Sequence, residues 1–386
     1  MIAYIEKLLK GQPVEWQTLG EVAEIGTGSS NRQDEVENGK YPFYVRSKSI
    51  LRSSTYQFDE TAIIIPGEGG IGDIYHFING KYALHQRAYR IHLQNDNLLD
   101  KFVYHYMRTH FKRYILSKSV GATATSIRKP MLETFSVPIP PLNIQAEIVR
   151  ILDIFTELEA ELEAELDCRK RQYDYYRNHL LSYEGNEVEW KTLGEVVKTT
   201  KNIKWQNNEN TYDYIDLTSV CRETGNVLET LKIKADNAPS RAQKMVQLDD
   251  VIFATTRPSQ MRIALIPKKF DGQIASTGYC ILRADKVNVL PKWIFFTLST
   301  TEFKKFVAEN QSGTAYPAIS DSKLKEFKIP LPPLSEQQRI VGILDKFDTL
   351  VHSISEGLPR EIELRKKQYE YYREQLLSFP EYKVTA

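Results

Sequence analysis

The chain has 386 residues, of which 41% are hydrophobic and 26% charged, and a formal net charge of +1. This excludes a disordered or fibrous polymer and a uniformly basic surface, and the length suits two domains that each bury a core. No run reaches the roughly 18 apolar residues of a membrane span, Met1 to Lys10 is unlike a signal peptide, and three scattered cysteines fit neither a disulfide framework nor a metal motif, so a cytoplasmic protein without bound metal is expected.

In chain order, the first feature is a repeat. Val14 to Val22 (VEWQTLGEV) recurs at Val188 to Val196 (VEWKTLGEV), an offset of 174. Phe135 to Leu158 recurs at Phe327 to Leu350 with offset 192, and Arg169 to Ser182 recurs at Arg365 to Ser378 with offset 196. Between these flanks, residues 26–118 and 200–310 show little similarity, and the second insert is the longer by 18 residues. Leu8-Leu9-Lys10-Gly11 before Val14 echoes Leu180-Leu181-Ser182 before Val188. Residues 1–12 are therefore expected to supply the missing end of the second repeat and to pack beside the C-terminal helix.

Both inserts mix short apolar runs, such as Thr61 to Ile65 and Asp250 to Thr255, with amphipathic stretches such as Leu99 to Leu116 and Trp293 to Phe306. Each is expected to be an α/β or α+β domain. Pro140-Pro141-Leu142 and Pro332-Pro333-Leu334 then force extended backbone before a helix, with Asn143 as the first cap and Ser335 with Gln338 as a capping box for the second. Apolar residues from Ile144 to Leu180 alternate spacings of three and four, the pattern of a coiled-coil seam. A helix over 143–182 would be about 60 Å long at the rise of an α-helix. The second copy, 335–379, carries four extra residues near Gly357-Leu358-Pro359, where Pro359 should kink or interrupt it. The two copies are expected to pair antiparallel, with approximate two-fold symmetry in a circular arrangement. Their tyrosine-rich ends exceed what one seam needs, so Tyr173, Tyr176, Tyr369 and Tyr372 are expected to face a protein partner.

With these residues in view, the chain resembles the DNA specificity subunit of type I restriction-modification systems. The resemblance spans nearly the whole chain. It rests on W-x-T-L-G-E at Trp16 and Trp190, on the stretch from Gly313 to Asp345 (G-T-A-Y-P-A-I-S through I-V-G-I-L-D), and on the alternation of variable and repeated segments. It implies target recognition domains at 13–140 and 187–332, each reading half of a bipartite DNA site. Conserved helical regions at 141–186 and 333–386 would set the spacing and dock two methyltransferase subunits, which recruit restriction subunits. S-adenosylmethionine, ATP and magnesium would serve those partners, leaving this chain non-catalytic and without a cofactor. The first domain departs from the pattern, since Gly121-Ala122-Thr123-Ala124-Thr125-Ser126-Ile127 stands where the second has Gly313 to Ile319 with Tyr316 and Pro317.

Reading bases requires Arg, Lys, Asn or Gln on loops that reach base edges, whereas phosphate contacts need only charge and N–H groups. In the first domain the candidates are Arg32, Arg46, Lys48, Arg87, Arg128 and Lys129, with Arg87 and Arg128 preferred. In the second they are Arg257, Gln260 and Arg262 from one loop after an apolar strand, then Lys204, Arg241, Lys244 and Tyr316. Residues 190–332 hold 21 Lys/Arg against 15 Asp/Glu, whereas Glu157 to Asp167 is an acidic run that suits a solvated helix. Gly67 to Gly72 lacks the lysine of a phosphate-binding loop and is expected to be a tight turn, while His85-Gln86 either is similar to a common feature of one class of recognition domain in this family or holds a histidine hydrogen-bonded in the fold. No methyltransferase, helicase or hydrolase motif is present. The alternative class is a coiled-coil scaffold whose domains bind protein.

Overall fold

The computed structural model describes residues 4–118, 126–183, 188–353 and 355–379. They form two compact units, Met1–Glu161 with Leu364–Ala386, and Leu162–Glu363.

In the first unit, helix α1 (Tyr4–Leu9) precedes strand β1 (Glu15–Thr18) and the single turn α2 (Leu19–Val22). The repeated T-L-G-E motif has a plain physical reason here. The Glu21 carboxylate accepts from both the Thr18 N–H (2.7 Å) and the Thr18 hydroxyl (2.8 Å), while Leu19 is fully buried. Gly20 approaches Glu133 so closely that a Cβ would lie 3.1 Å from that residue's backbone. A mixed sheet follows, with strands β2 (Ala23–Thr27), β3 (Tyr41–Tyr44), β4 (Leu51–Ser53), β5 (Phe58–Pro66), β6 (His76–Leu84) and β7 (Ala88–Leu93) in the order β2-β7-β5-β6-β3-β4. Helix α3 (Asp100–Lys118) covers its apolar face through Phe102, Val103, Met107 and Phe111. Helix α4 (Lys129–Glu133) and strand β8 (Ser136–Ile139), which pairs with β1, lead into helix α5 (Leu142–Leu180).

The second unit repeats this plan. It runs through β9 (Glu189–Thr192), α6 (Leu193–Val196), β10 (Val197–Lys198), β11 (Tyr212–Ile215), β12 (Leu231–Ile233), β13 (Ala242–Met245), β14 (Val251–Ala254), β15 (Ile263–Leu265), β16 (Ile274–Ser276) and β17 (Tyr279–Ala284). The strands form two sheets, β10-β17-β14-β15 and β12-β11-β16-β13. Strands β10, β17, β14 and β15 correspond to β2, β7, β5 and the first part of β6. The parallel pairing of β3 with the end of β6 reappears as β11 with β16. The inserts therefore share a topology that their sequences hide. Strand β13, an extra partner of β16, lies within the longer insert. Helices α7 (Pro291–Thr297) and α8 (Thr301–Asn310) replace the single α3, because the Thr300 hydroxyl accepts from Phe303 N–H and starts a new helix. Helix α9 (Asp321–Lys325) and strand β18 (Lys328–Leu331), paired with β9, complete the domain. Helices α10 (Leu334–His352) and α11 (Gly357–Leu377) form the C-terminal segment.

The expected caps at Asn143 and Ser335 do not form, since both residues lie inside their helices. Instead the Pro141 and Pro333 carbonyls accept the first helical N–H groups. Two residues further in, fully buried glutamines lock each helix to its domain. Gln145 accepts from Leu99 N–H and donates to the Asn97 and Pro140 carbonyls, and Gln337 does the same with Leu290, Asn288 and Pro332.

The seam pairs antiparallel within each unit. In the first, Phe155 lies 6.0 Å from Tyr369 and 5.4 Å from Tyr372, and Glu159 meets Lys366 at 3.2 Å. In the second, Phe347 lies 6.2 Å from Tyr173 and 5.5 Å from Tyr176. Phe155 and Phe347, and likewise Tyr173 and Tyr369, occupy equivalent repeat positions, so these are two copies of one contact. The four extra residues fall between them, at the break between α10 and α11, where Gly357 takes φ +76° and a Cβ would meet Thr349 O at 2.5 Å. Pro359 sits in the first turn of the new helix rather than kinking a continuous one. Ile5 and Leu9 of α1 are buried in the same cluster as Leu376, Leu377 and Phe379.

Candidate nucleic-acid interface

In the first unit, backbone pairing draws five separate segments to one sheet edge. His85 N–H donates to Tyr44 O, Gln86 N–H to Ser30 O, Gly67 N–H to Arg87 O and Ile127 N–H to Gly67 O. These bonds bring the loops bearing Arg32, Arg46, Arg87 and Arg128 together, although the residues span almost 100 positions. Arg32, Arg46 and Arg87 line one open concavity of about 480 Å³ with Asn31, Gln33, His85 and Gln86. At its edge, the Glu68 carboxylate accepts from both Arg46 and Arg87 through Nη1, each at 3.0 Å. All three side chains are between 40% and 54% exposed, so the guanidiniums are held in place while remaining accessible.

His85 fixes the turn that carries Arg87. Its Nδ1 accepts the Arg87 backbone N–H at 3.0 Å, which requires an unprotonated Nδ1. Burial, with the neighbouring Arg46 and Arg87 charges, lowers its pKa and favours that neutral form. Gly69, Gly70 and Gly72 all have positive φ, and a Cβ on Gly72 would lie 2.6 Å from Lys112 Cβ. The glycine run is thus a packed turn. Arg128 is exposed at the start of α4, Lys129 pairs with Glu133 at 3.5 Å on that helix, and Lys48 is exposed in the bend after β3. Residues 121–125, part of the first domain's departure from the family pattern, lie outside the described residues.

The second unit builds the corresponding edge with different side chains. Thr255 N–H donates to Gly278 O, Ile319 N–H to Thr255 O, Thr277 N–H to Arg241 O and Arg257 N–H to Pro317 O. Arg241, Arg257 and Tyr316 therefore belong to adjoining loops. Arg257 adopts the left-handed backbone at φ +50°, with its guanidinium 5.3 Å from the ring centre of Tyr316, which is 71% exposed. Lys204 is exposed in the loop that joins β13 through the bond from Ile203 N–H to Gln243 O.

Three expectations in this domain need correction. Lys244 is not a DNA-facing charge, since its ammonium is mostly buried and donates to Tyr279 O and Asp321 Oδ2, both at 2.6 Å. Arg262 points back into the domain, bonding to Val220 O, and Gln260 accepts from it at 3.3 Å. Of the loop's three candidates, Arg257 alone is exposed.

The tyrosine expectation also changes. Tyr173 and Tyr369 are 2% and 6% exposed and fill the helix seam, so neither ring is open to a partner. Tyr372 is half-buried against Phe155, whereas Tyr176, although stacked on Phe347, stays 36% exposed as expected. The outward rings are their neighbours Tyr175 and Tyr371, at 64% and 55% exposure, each edge-on to the tyrosine that follows it. Glu68, the feature that sequence reasoning missed, is hidden inside a glycine-rich turn and becomes informative only beside the two arginines. Among the described residues no His/Cys/Asp/Glu group is placed to hold a metal ion, and no helix is long and apolar enough to cross a membrane.

Residues 13–167 and 186–364 match the family described as the type I restriction modification DNA specificity domain. The chain is 33% identical over 413 residues to the EcoR124I/EcoR124II type I restriction enzyme specificity subunit of Escherichia coli, covering 98% of each chain. It is 27% identical over 396 residues to the EcoprrI specificity subunit of the same species, covering 92% of each. The crystal structure of a type I restriction-modification S subunit from M. genitalium superposes with a TM-score of 0.60 over 99% of this chain and 100% of that one, at 18% identity, and so shares the fold.

Proposed function

The chain belongs to the family of type I restriction-modification specificity subunits, non-catalytic components that recognise DNA sequence through two domains, and from that premise we propose which surfaces do the work. The edge carrying Arg32, Arg46, Arg87, Arg128, Lys48 and Lys129 reads one half of a bipartite site. The edge carrying Arg241, Arg257, Tyr316 and Lys204 reads the other. What supports this is that equivalent backbone bonds, Ile127 to Gly67 and Ile319 to Thr255, build the same edge in both domains while the side chains displayed there differ. A shared platform with divergent side chains suits two half-sites of different sequence.

The paired helices set the separation of the half-sites and dock two methyltransferase subunits, which supply S-adenosylmethionine chemistry and bring in the ATP- and magnesium-dependent restriction subunits. Tyr175 and Tyr371, related by the repeat and both exposed, offer one docking position per partner copy, with Tyr176 and Tyr372 beside them. Exchanging residues 26–118 for those of a relative, followed by methylation mapping in cells that carry the complete system, tests the assignment. One half-site should change while the other half-site and the spacer persist. A change in both, or in neither, would refute it.

A further inference from the structure

Resting on the assignment of the first domain's edge as a base-reading surface, we infer that its half-site contains a G·C pair read jointly by Glu68 and an adjoining arginine, Arg46 or Arg87. Phosphate binding does not call for a carboxylate, which repels the backbone, yet Glu68 sits at the rim of the cavity that Arg32, Arg46 and Arg87 line. Its Oε2 takes both arginine bonds at 3.0 Å and orients the two guanidiniums. In the major groove a G·C pair presents guanine N7 and O6 as acceptors beside the cytosine N4 amino donor. A guanidinium beside a carboxylate offers the complementary order, donors next to an acceptor. An A·T pair, with an amino donor between two acceptors, matches that order less well. Asn31, Gln33 and Gln86 on the same wall add uncharged donors and acceptors suited to base edges.

The second domain lacks this device. Thr256, which bridges to Ala318 as Glu68 bridges to Ser126, takes the place of the carboxylate, and Gly278 takes that of Arg87. The G·C requirement is therefore assigned to the first half-site alone.

The test is methylation mapping in cells carrying the complete system with wild-type, Glu68→Ala or Arg87→Ala specificity subunit, together with duplex binding by the purified complex at two salt concentrations. The wild type should methylate a bipartite site with a G·C pair in the half-site that changes on exchange of residues 26–118. Glu68→Ala should cut the preference for that pair by on the order of tenfold or more and leave the second half-site unchanged, which also shows that the complex still folds and assembles. Arg87→Ala should relax the same position or its neighbour. A first half-site with no G·C pair, or a Glu68→Ala motif identical to wild type, overturns the inference. Uniformly weaker binding of all sequences with a shallower salt dependence would mean a phosphate clamp, and tighter binding with an unchanged motif would mean that the carboxylate merely shields the arginines. If the wild type methylates no bipartite site at all, the underlying functional assignment fails before any variant is considered.

Discussion

The helix seam and the recognition edges are both duplicated, but they have diverged to very different extents. Phe155 against Tyr369 and Phe347 against Tyr173 agree to within 0.2 Å in ring separation, and Gln145 and Gln337 make matching sets of three bonds. At the edges, Thr256 stands at the position equivalent to Glu68 and Gly278 at the position equivalent to Arg87. A buried contact is constrained from every side by close packing, so both copies have kept it. An exposed loop on a rigid sheet is constrained only by what it binds. The difference separates the part of the chain that holds two readers in place from the part that reads.

Breaking the locking glutamines should produce the largest effect. Gln145→Leu leaves Leu99 N–H and two carbonyls without partners in the interior, and should destabilise the first unit by about 3 kcal/mol or more in denaturant unfolding. Gln337→Leu should do the same to the second unit. A pronounced asymmetry between the two variants would show that the frame is less equivalent than its geometry.

An acid titration sharpens the same comparison. His105 is buried, and desolvation lowers its pKa to about 4 despite its 3.1 Å contact with Asp153. A depressed histidine pKa means that the unfolded chain takes up the proton more readily. The native state is therefore penalised as pH falls below the ordinary 6.5, fully so below about 4. At pH 5 that loss is about 2 kcal/mol relative to pH 7. Asp153 adds to it at lower pH, because burial opposes its ionisation but Lys101 and His105 together hold it below the usual carboxylate range. The second unit keeps the lysine–aspartate pair as Lys292 and Asp345 but has Phe296 where the first has His105. Unfolding of His105→Phe at pH 5 and pH 7 should therefore show a smaller pH dependence than wild type, and an unchanged one would sink the assignment.

Arg257→Ala should weaken recognition at one position of the second half-site by about 1 to 3 kcal/mol, read as a degenerate base in the methylation map, and leave the first half-site intact. The repeated caps should matter less. Thr18→Ala and Thr192→Ala each remove a hydroxyl held by Glu21 or Glu195, and each should cost about 1 kcal/mol in thermal or denaturant unfolding. The smallest effect is expected from deleting residues 353–356. The insertion falls at the helix break, outside both ring contacts, so removing it should preserve folding and the spacer length of the methylated site. A changed spacer would place this segment in the ruler after all.

Much of the frame was legible in one dimension. The Pro-Pro-Leu pairs announce two helix starts and the three-and-four spacing announces the seam, because each depends on neighbours a few residues away. The capping box in the repeated T-L-G-E motif, by contrast, was not read from the sequence, and the one expected at Ser335 did not form. Gln145 and Gln337 escaped notice, since a polar residue inside a helical pattern reads as solvent-facing until the domain loop that it bonds is in place. The shared topology of the inserts was equally hidden, because strand order depends on pairings between segments that carry little sequence in common.

What the amino-acid order determined by itself was the duplication, the long helices, the two mixed α and β domains and the family to which they point. Which tyrosines face outward, which lysine is buried and which arginines share a carboxylate was decided only by tertiary structure. Tyr173 and Tyr175 are two residues apart on one helix yet 2% and 64% exposed, a difference set by the neighbouring helix. Arg46, Glu68 and Arg87 meet because separate strands end at the same sheet edge. Side-chain chemistry is written residue by residue, but a site is a set of distances, and those exist only once the chain has folded.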